Sequence, residues 1–289
     1  MSETLPTVEE RVRVARARLA AAPFSPATRE ARLLAAEVLG WSEVQVIARG
    51  HEVMPGEAAA RFEVLLERRL RGEPVAYLLG RRELWGRSFR VDRRVLIPRP
   101  ETEHLIEAVL ALPLPPAPRL LDVGTGSGIL AVTLALELPG ARVVATDLSP
   151  AALAVAAANA RALGARDQVR FLAADGTDGL SLGGFDLLVS NPPYVAPEDR
   201  ARLSHEVTDF EPALALWAGE GGLAFFRRLI AAGRALRPGA FLAFEIGDGQ
   251  QDGVLALAAG APCELVEVRA DYAGKPRVVV LKRTSWTAS

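Results

Sequence analysis

The sequence of 289 residues is half apolar, has a mean hydropathy of +0.17 and carries a formal net charge of −1. A chain of this length and composition can bury a large core, which excludes intrinsic disorder, and its balanced charge argues against a general nucleic-acid binder. The single cysteine excludes an intramolecular disulfide, and three scattered histidines give no metal-ligand spacing, so we expect no metal site. We find no signal-peptide pattern and no run of 18 apolar residues, and we expect a cytoplasmic protein without a membrane span.

Residues 1–80 predict a small helical domain. Apolar residues spaced three and four apart predict a first helix over 8–22, and a second begins at Ser25 and Pro26 and ends at Gly40. Three more helices are predicted over 42–48, 55–70 and 75–79. No catalytic pattern is visible in this domain, and we therefore assign it to substrate recognition.

Residues 81–100 predict a linking β-hairpin with Trp85 and Phe89 as apolar anchors. Seven arginines fall between Arg81 and Arg99, and the net charge is +5 over residues 1–100 against −6 over the rest of the chain. The arginines are consistent with a solvated surface hairpin or with a contact to an acidic or RNA-bound partner.

Residues 101–289 alternate between helical and strand patterns, which predicts an α/β domain with a doubly wound, mostly parallel seven-stranded sheet. Four strands are predicted to end at Asp122, Asp147, Asp175 and Asn191. A helix over 222–236 leads to a fifth strand, and the last two runs, 264–270 and 277–281, predict a closing antiparallel hairpin.

A glycine-rich turn follows the first of these strands and precedes a helix predicted over 129–138. Glycines let the backbone approach a ligand closely, and a helix N-terminus offers unpaired N–H groups. The dinucleotide pattern needs a glycine where Ile129 stands, so the spacing indicates a nucleoside site without a diphosphate. The cofactor-binding residues predicted here are Gly124, Thr125, Gly126, Ser127 and Gly128.

Acidic residues follow the next two strands. Asp147 ends the second strand, where the carboxylate could accept both hydroxyls of a ribose, and Leu148 beside it could contact an adenine. The alternative role of Asp147 is to cap the helix that starts near Ser149. Asp175, after the following strand, could accept a hydrogen bond from an adenine amino group.

The fourth strand ends in Asn191-Pro192-Pro193-Tyr194. Both prolines stiffen the turn, so a planar NH2 group could donate to the Asn191 side-chain oxygen and the Pro192 carbonyl while Tyr194 covers its face. This favours a reaction at the nitrogen of an amide or an aromatic amine, and the alternative is an ordinary loop. We assign substrate binding to all four residues, catalysis to Asn191, Pro192 and Tyr194, and a marginal cofactor contact to Asn191.

Two neighbouring segments have open roles. Residues 195–216 are polar and lack a clear period, which is consistent with a lid or a substrate-binding loop. Glu101 and Glu103 could meet the ammonium group of a cofactor, or could place favourable charge at the N-terminus of the following helix.

The chain resembles the class I S-adenosylmethionine-dependent methyltransferases in the order of its motifs, which are the glycine-rich turn, Asp147, Asp175 and Asn-Pro-Pro-Tyr. Further stretches at 80–86, 95–103 and 274–277 make nearly the whole chain similar to the protein-glutamine methyltransferase family that modifies peptide chain release factors. The resemblance implies a Rossmann-like methyltransferase domain over 101–289, S-adenosyl-L-methionine as cofactor and class 1 release factors as partners. It also implies methylation of the side-chain amide nitrogen of glutamine in a Gly-Gly-Gln motif. The sequence departs from the family at Gly176, where a bulky residue often covers the adenine.

Three alternatives stay open. The same family includes a ribosomal-protein glutamine methyltransferase, and Asn-Pro-Pro-Tyr also occurs in adenine-N6 methyltransferases of nucleic acids. The acidic balance and the lack of a separate basic domain count against nucleic-acid methylation. A non-catalytic adaptor would require a decayed site, whereas the glycine turn, Asp147 and Asn191 are intact. We expect a monomer that binds no nucleic acid stably.

Overall fold

The computed structural model describes residues 5–22 and 27–285 of the chain. The chain divides into two compact units, Met1–Gly80 and Arg81–Ser289. In the described ranges, none of the helices has both the length and the apolar character that crossing a membrane requires.

The described part of the first unit is helical. Capping boxes begin two of the helices, because Thr7 pairs reciprocally with Glu10 and Ser42 with Gln45. The predicted start of the second helix at Ser25 and Pro26 lies outside the described residues. The helices are α1 (Val8–Ala20), α2 (Ala27–Leu39), α3 (Glu43–Ala48), α4 (Gly56–Leu70) and α5 (Val75–Leu79), and their apolar faces share one core.

The second unit begins with a hairpin and continues as alternating strands and helices. Its strands are β1 (Arg81–Leu84), β2 (Arg87–Arg90), β3 (Arg119–Val123), β4 (Arg142–Asp147), β5 (Val169–Ala173), β6 (Leu187–Ser190), β7 (Phe241–Glu245), β8 (Cys263–Ala270) and β9 (Pro276–Arg283). Its helices are α6 (Thr102–Leu110), α7 (Ile129–Glu137), α8 (Pro150–Leu163), α9 (His205–Phe210), α10 (Ala224–Ala232) and α11 (Gln251–Ala259).

Strands β3 to β9 form one seven-stranded sheet in the order β5-β4-β3-β6-β7-β9-β8. The first five strands of that order are parallel, and β9 runs antiparallel to both of its neighbours. The expected doubly wound, mostly parallel sheet is confirmed. The register pairs Val123 with Thr146 and Ser190 with Phe244, so the residues that follow β3, β4, β6 and β7 lie along one edge.

The two faces of the sheet bury different helices. Along β3, Leu120 belongs to the core that contains residues of α6, α7 and α8, whereas Leu121 belongs to the core that contains residues of α10 and α11. The same alternation occurs in β6, where Val189 and Leu188 lie on opposite faces. Both faces are apolar, as a sheet covered by helices on both sides requires.

Two differences from the predicted boundaries lie near the strand ends that carry the predicted site. Strand β5 ends at Ala173, two residues before Asp175, so Asp175 lies in the following turn. The helix predicted over 222–236 is shorter, because Gly221 and Gly222 have φ values of 62° and 89° and form a turn before α10. Positive φ is incompatible with an α-helix.

Candidate active site

A pocket of about 560 Å³ opens at the carboxyl edge of the parallel strands. Its wall includes the glycine turn after β3, Asp147 and Leu148 after β4, and Asn191 after β6. Residues 94–96 with Pro98, and residues 212–215 with Trp217, also contribute to the wall. The sheet register thus gathers side chains that are far apart in sequence, as is usual at this edge of an open α/β sheet.

The glycine turn leaves open space on the pocket side. Gly124 and Gly126 have φ values of 73° and 54°, and a Cβ atom added at either would meet no atom within 4 Å. Gly128 has a further constraint, because its added Cβ would lie 3.0 Å from the Cβ of Ala156. Gly128 therefore permits the close approach of α8 to the turn, while Gly124, Thr125, Gly126 and Ser127 line the pocket.

A buried carboxylate in β3, just before the glycine turn, holds this turn. Asp122 is 1 % exposed, and its Oδ2 accepts hydrogen bonds from Thr125 Oγ1 at 2.6 Å and from the Ala131 N–H at 3.1 Å. Burial raises the pKa of Asp122 to about 7, although the hydrogen bonds oppose the shift.

Asp147 faces the glycine turn and does not cap the following helix. Its Oδ2 accepts from the Gly126 N–H and its Oδ1 from the Ser149 N–H, both at 2.9 Å. Ser149 is the N-cap of α8 and accepts from the Ala152 N–H. The two backbone bonds fix the Asp147 carboxylate at the edge of the pocket, with lone pairs remaining for a ligand.

The space next to Gly176 contains an arginine. Arg228 on α10 pairs with Asp175 at 2.9 Å, and its guanidinium lies 3.4 Å from where a Gly176 Cβ would be. The same guanidinium is 5.5 Å from the ring centroid of Phe225. Both side chains line the pocket with the half-exposed Leu148, so an apolar and cationic surface lies beside Gly176.

Asn191 lines the pocket and belongs to a polar cluster with the buried Thr102 and Glu245. Its Nδ2 donates to Thr102 Oγ1 at 3.3 Å, and the Thr102 hydroxyl donates to Glu245 Oε2 at 2.7 Å. Asn191 Oδ1 is buried and has no hydrogen-bond partner. Burial raises the pKa of Glu245 to about 7. Sequence reasoning missed Thr102 and Glu245.

The rest of Asn-Pro-Pro-Tyr is divided between the pocket and the protein interior. Pro193 lines the pocket, Pro192 is buried, and Tyr194 packs against the core that contains α10 and α11. The Tyr194 carbonyl accepts from Gln250 Nε2 at 2.8 Å, and Gln250 Oε1 accepts from the Gly247 N–H. The turn is therefore held by a second loop as well as by its prolines.

The segment 195–216 is fastened to residues 93–99. Glu211 is 6 % exposed; it pairs with Arg99 at 2.6 Å and accepts from the Ile97 N–H at 3.3 Å. Phe210 adds a cation–π contact with Arg93. Because residues 212–215 line the pocket, these contacts hold that part of its wall in place.

Glu103 serves the β1–β2 hairpin. Its Oε1 accepts from the N–H of Trp85, which has a φ of 52°, at 2.8 Å. Thr102 lines the pocket, whereas neither Glu101 nor Glu103 belongs to its described wall.

Asn159 on α8 joins the hairpin to the glycine turn, because its amide pairs with both backbone groups of Arg90 and donates to the Ser127 carbonyl.

Comparison with known proteins identifies the family. Residues 10–80 match the family described as PrmC N-terminal domain, and residues 102–215 match the methyltransferase small domain. A release factor glutamine methyltransferase from Cereibacter sphaeroides is 45% identical over 93% of this chain and 95% of its own length. The chain belongs to the release factor glutamine methyltransferase family. A second release factor glutamine methyltransferase, from Neisseria gonorrhoeae, is 46% identical over 88% of this chain and 92% of its own length.

Membership of the release factor glutamine methyltransferase family confirms the resemblance carried by the motifs. The structure of a methyltransferase from Pyrococcus furiosus shares the fold, with a TM-score of 0.53 and 17% identity over 75% of this chain and 97% of that one. The α/β domain of this chain therefore has a methyltransferase fold.

Proposed function

We propose that this protein methylates the side-chain amide nitrogen of glutamine in the Gly-Gly-Gln motif of class 1 release factors. It would act as a monomer in the cytoplasm with S-adenosyl-L-methionine as the methyl donor. The observation that carries the proposal is the buried Asn191 Oδ1, an acceptor without a partner at the pocket. A buried acceptor of this kind is costly unless a ligand donates to it, and the relatives of the chain supply the substrate class.

The residues around the pocket fit S-adenosylmethionine. The open space in front of Gly124 and Gly126 admits a ligand close to the backbone, and the turn leads into the N-terminus of α7. We assign the ribose hydroxyls to Asp147 and the adenine to Leu148, Phe225, Arg228 and Asp175. When bound, the cofactor supplies an electrophilic methyl group.

The contribution of the protein is to hold the glutamine amide. An amide nitrogen is a poor nucleophile because its lone pair is delocalised into the carbonyl. Asn191 Oδ1 and the Pro192 carbonyl would each accept one N–H, which orients the NH2 group and favours a localised lone pair. Positioning is therefore the main catalytic effect. After transfer the nitrogen is cationic and acidic, so its proton can leave without a dedicated base.

The helical unit is the proposed recognition element for the rest of the release factor. The residues that line the described pocket all lie in the second unit, while residues 10–80 match a domain characteristic of the family.

Tyr194 would cover the glutamine side chain, and Pro193 would form part of its binding site.

The experiment is a transfer assay with labelled S-adenosylmethionine and separate substrates: a class 1 release factor, the same factor with its Gly-Gly-Gln glutamine changed to alanine, ribosomal proteins, and nucleic acid. We expect label only in the unaltered release factor. Label in ribosomal protein or in nucleic acid alone would replace the proposed substrate, and label in the altered factor would show that another residue is methylated.

A further inference from the structure

Glu245 is buried at the end of β7, near residues 191–194, which we call the reactive turn. The proposed chemistry assigns no role to this carboxylate. We infer that Glu245, acting through the Thr102 hydroxyl, fixes the amide of Asn191 so that its oxygen, and not its NH2 group, faces the substrate. Glu245 and Thr102 are thus positioning residues. The inference rests on the proposed function, because it concerns which atom of Asn191 meets the glutamine amide.

The direction of the hydrogen bonds carries the argument. An ionised carboxylate can only accept, so the hydroxyl of Thr102 must donate its single proton to Glu245 Oε2, at 2.7 Å. That hydroxyl is then left as an acceptor, and it takes a hydrogen bond from Asn191 Nδ2 at 3.3 Å. The amide cannot turn over without opposing its oxygen to the Thr102 oxygen. Asn191 Oδ1 is consequently the amide atom that remains available to accept from a substrate, and it has no hydrogen-bond partner in the protein.

The substrate needs this polarity. The NH2 group of glutamine is a donor and must meet acceptors if its lone pair is to be aimed at a methyl group. If the Asn191 amide were reversed, two NH2 groups would face each other and the nitrogen would not be held. The carboxylate therefore specifies the acceptor through the Thr102 hydroxyl, and its own hydrogen-bonding interaction with the Asn191 side chain favours the same orientation of the amide.

The charge state of Glu245 should control the arrangement. Around it lie Thr102 and Glu101 from the start of α6, Asn191 from the end of β6, and Arg277 from β9, and the Tyr194 phenol is also within electrostatic range. Burial raises the pKa of this carboxyl to about 7; Glu101 adds to the shift, while Thr102, Asn191 and Arg277 oppose it. A protonated Glu245 can donate as well as accept, so below this pKa the direction of the bonds is no longer enforced.

The chain offers a direct probe of the amide. Asn159 and Asn191 are its two asparagines, so selective side-chain ¹⁵N labelling of asparagine gives two NH2 groups to follow by NMR. Asn159 is an internal reference because its NH2 group donates to two backbone carbonyls. We expect the Asn191 signals to move with a midpoint near pH 7 in the wild type and to lose that midpoint in Glu245→Gln. Asn191 signals unaffected by pH and by Glu245→Gln would overturn the inference.

Single-turnover transfer to a release factor, under saturating cofactor, gives the functional readout. The wild-type rate should rise between pH 6 and 8, and Glu245→Gln should be slower at pH 8 and should lose this dependence. Thr102→Val should slow transfer by about tenfold or more, whereas Thr102→Ser, which keeps the hydroxyl, should stay close to wild type. The matched control is Thr133→Val, because Thr133 is fully buried and its hydroxyl has no partner.

Cofactor affinity and thermal unfolding of each variant separate positioning from folding. All variants should bind cofactor within a few-fold of the wild type. A Glu245→Gln variant with the wild-type pH profile, or a Thr102→Val variant as fast as Thr133→Val, would contradict the inference while leaving the proposed function intact. A wild type that does not methylate release factors would refute the proposed function instead, and the NMR titration would still decide the orientation of Asn191.

Discussion

Replacing Gly222 by alanine should displace the reactive turn without touching the cofactor residues. Gly222 has a φ of 89°, and an added Cβ would lie 2.3 Å from both the Tyr194 carbonyl oxygen and Gln250 Nε2. Ordinary contacts at such positions begin near 3.4 Å, so the Tyr194 backbone must move by about 1 Å. A displacement of this size in a positioned site can slow catalysis by about a hundredfold. The left-handed backbone adds a cost of about 1 kcal/mol to folding.

Gly221→Ala is the matched control. Gly221 also has a positive φ, 62°, but its added Cβ meets nothing within 4 Å, so this variant has the backbone cost without the collision. Single-turnover transfer to a release factor, calorimetric titration of cofactor and thermal unfolding should be measured for both. We expect Gly222→Ala alone to lose transfer while both variants bind cofactor. Equal transfer rates in the two variants would refute the claim that this contact sets the position of Tyr194.

Three further outcomes are expected. Asp147→Ala should weaken S-adenosylmethionine binding by about 1–3 kcal/mol, and an unchanged affinity by calorimetry would remove Asp147 from the site. The pKa values of Asp122 and Glu245 are raised to about 7, so near neutral pH the folded state holds protons that the unfolded state has lost. The free energy of unfolding, measured in urea, should therefore fall by about 1 kcal/mol per group from pH 6 to 8. A rise over this range would contradict the claim that burial raises these pKa values. Glu211→Ala should speed hydrogen exchange over 205–216 because its bonds to Arg99 and the Ile97 N–H are lost, and unchanged exchange would mean that other contacts hold the segment.

The sequence was informative where chemistry sits at the ends of strands. Gly124, Asp147 and Asn191 each follow an apolar run, and the ends of parallel strands meet at one edge, so their convergence could be predicted from order alone. Glu245 carries the same signal as Asp147, because it is an acidic residue close to the end of an apolar run. Glu245 is buried, and its hydrogen-bond partner Thr102 lies 143 residues earlier in the chain.

What could not be predicted depends on side-chain packing between distant segments. Arg228 was invisible from sequence because its place beside Gly176 follows from how α10 packs on the sheet. Gly128 is predicted to contact the cofactor, and the structure adds a packing reason for a glycine there, because an added Cβ would meet Ala156 on α8. Glycine spacing alone does not distinguish a residue that approaches a ligand from one that lets two helices approach each other.

The central claim is that Asn191 holds the glutamine amide for methyl transfer. The most direct measurement is the single-turnover rate of transfer to a class 1 release factor by Asn191→Ala, at saturating cofactor and beside the wild type. Pro192 and Pro193 should keep the turn folded, and cofactor affinity should stay within a few-fold. Loss of one positioned hydrogen bond predicts transfer about a hundredfold slower or more. A variant that transfers at the wild-type rate would contradict the account, because the amide would then be held by other groups.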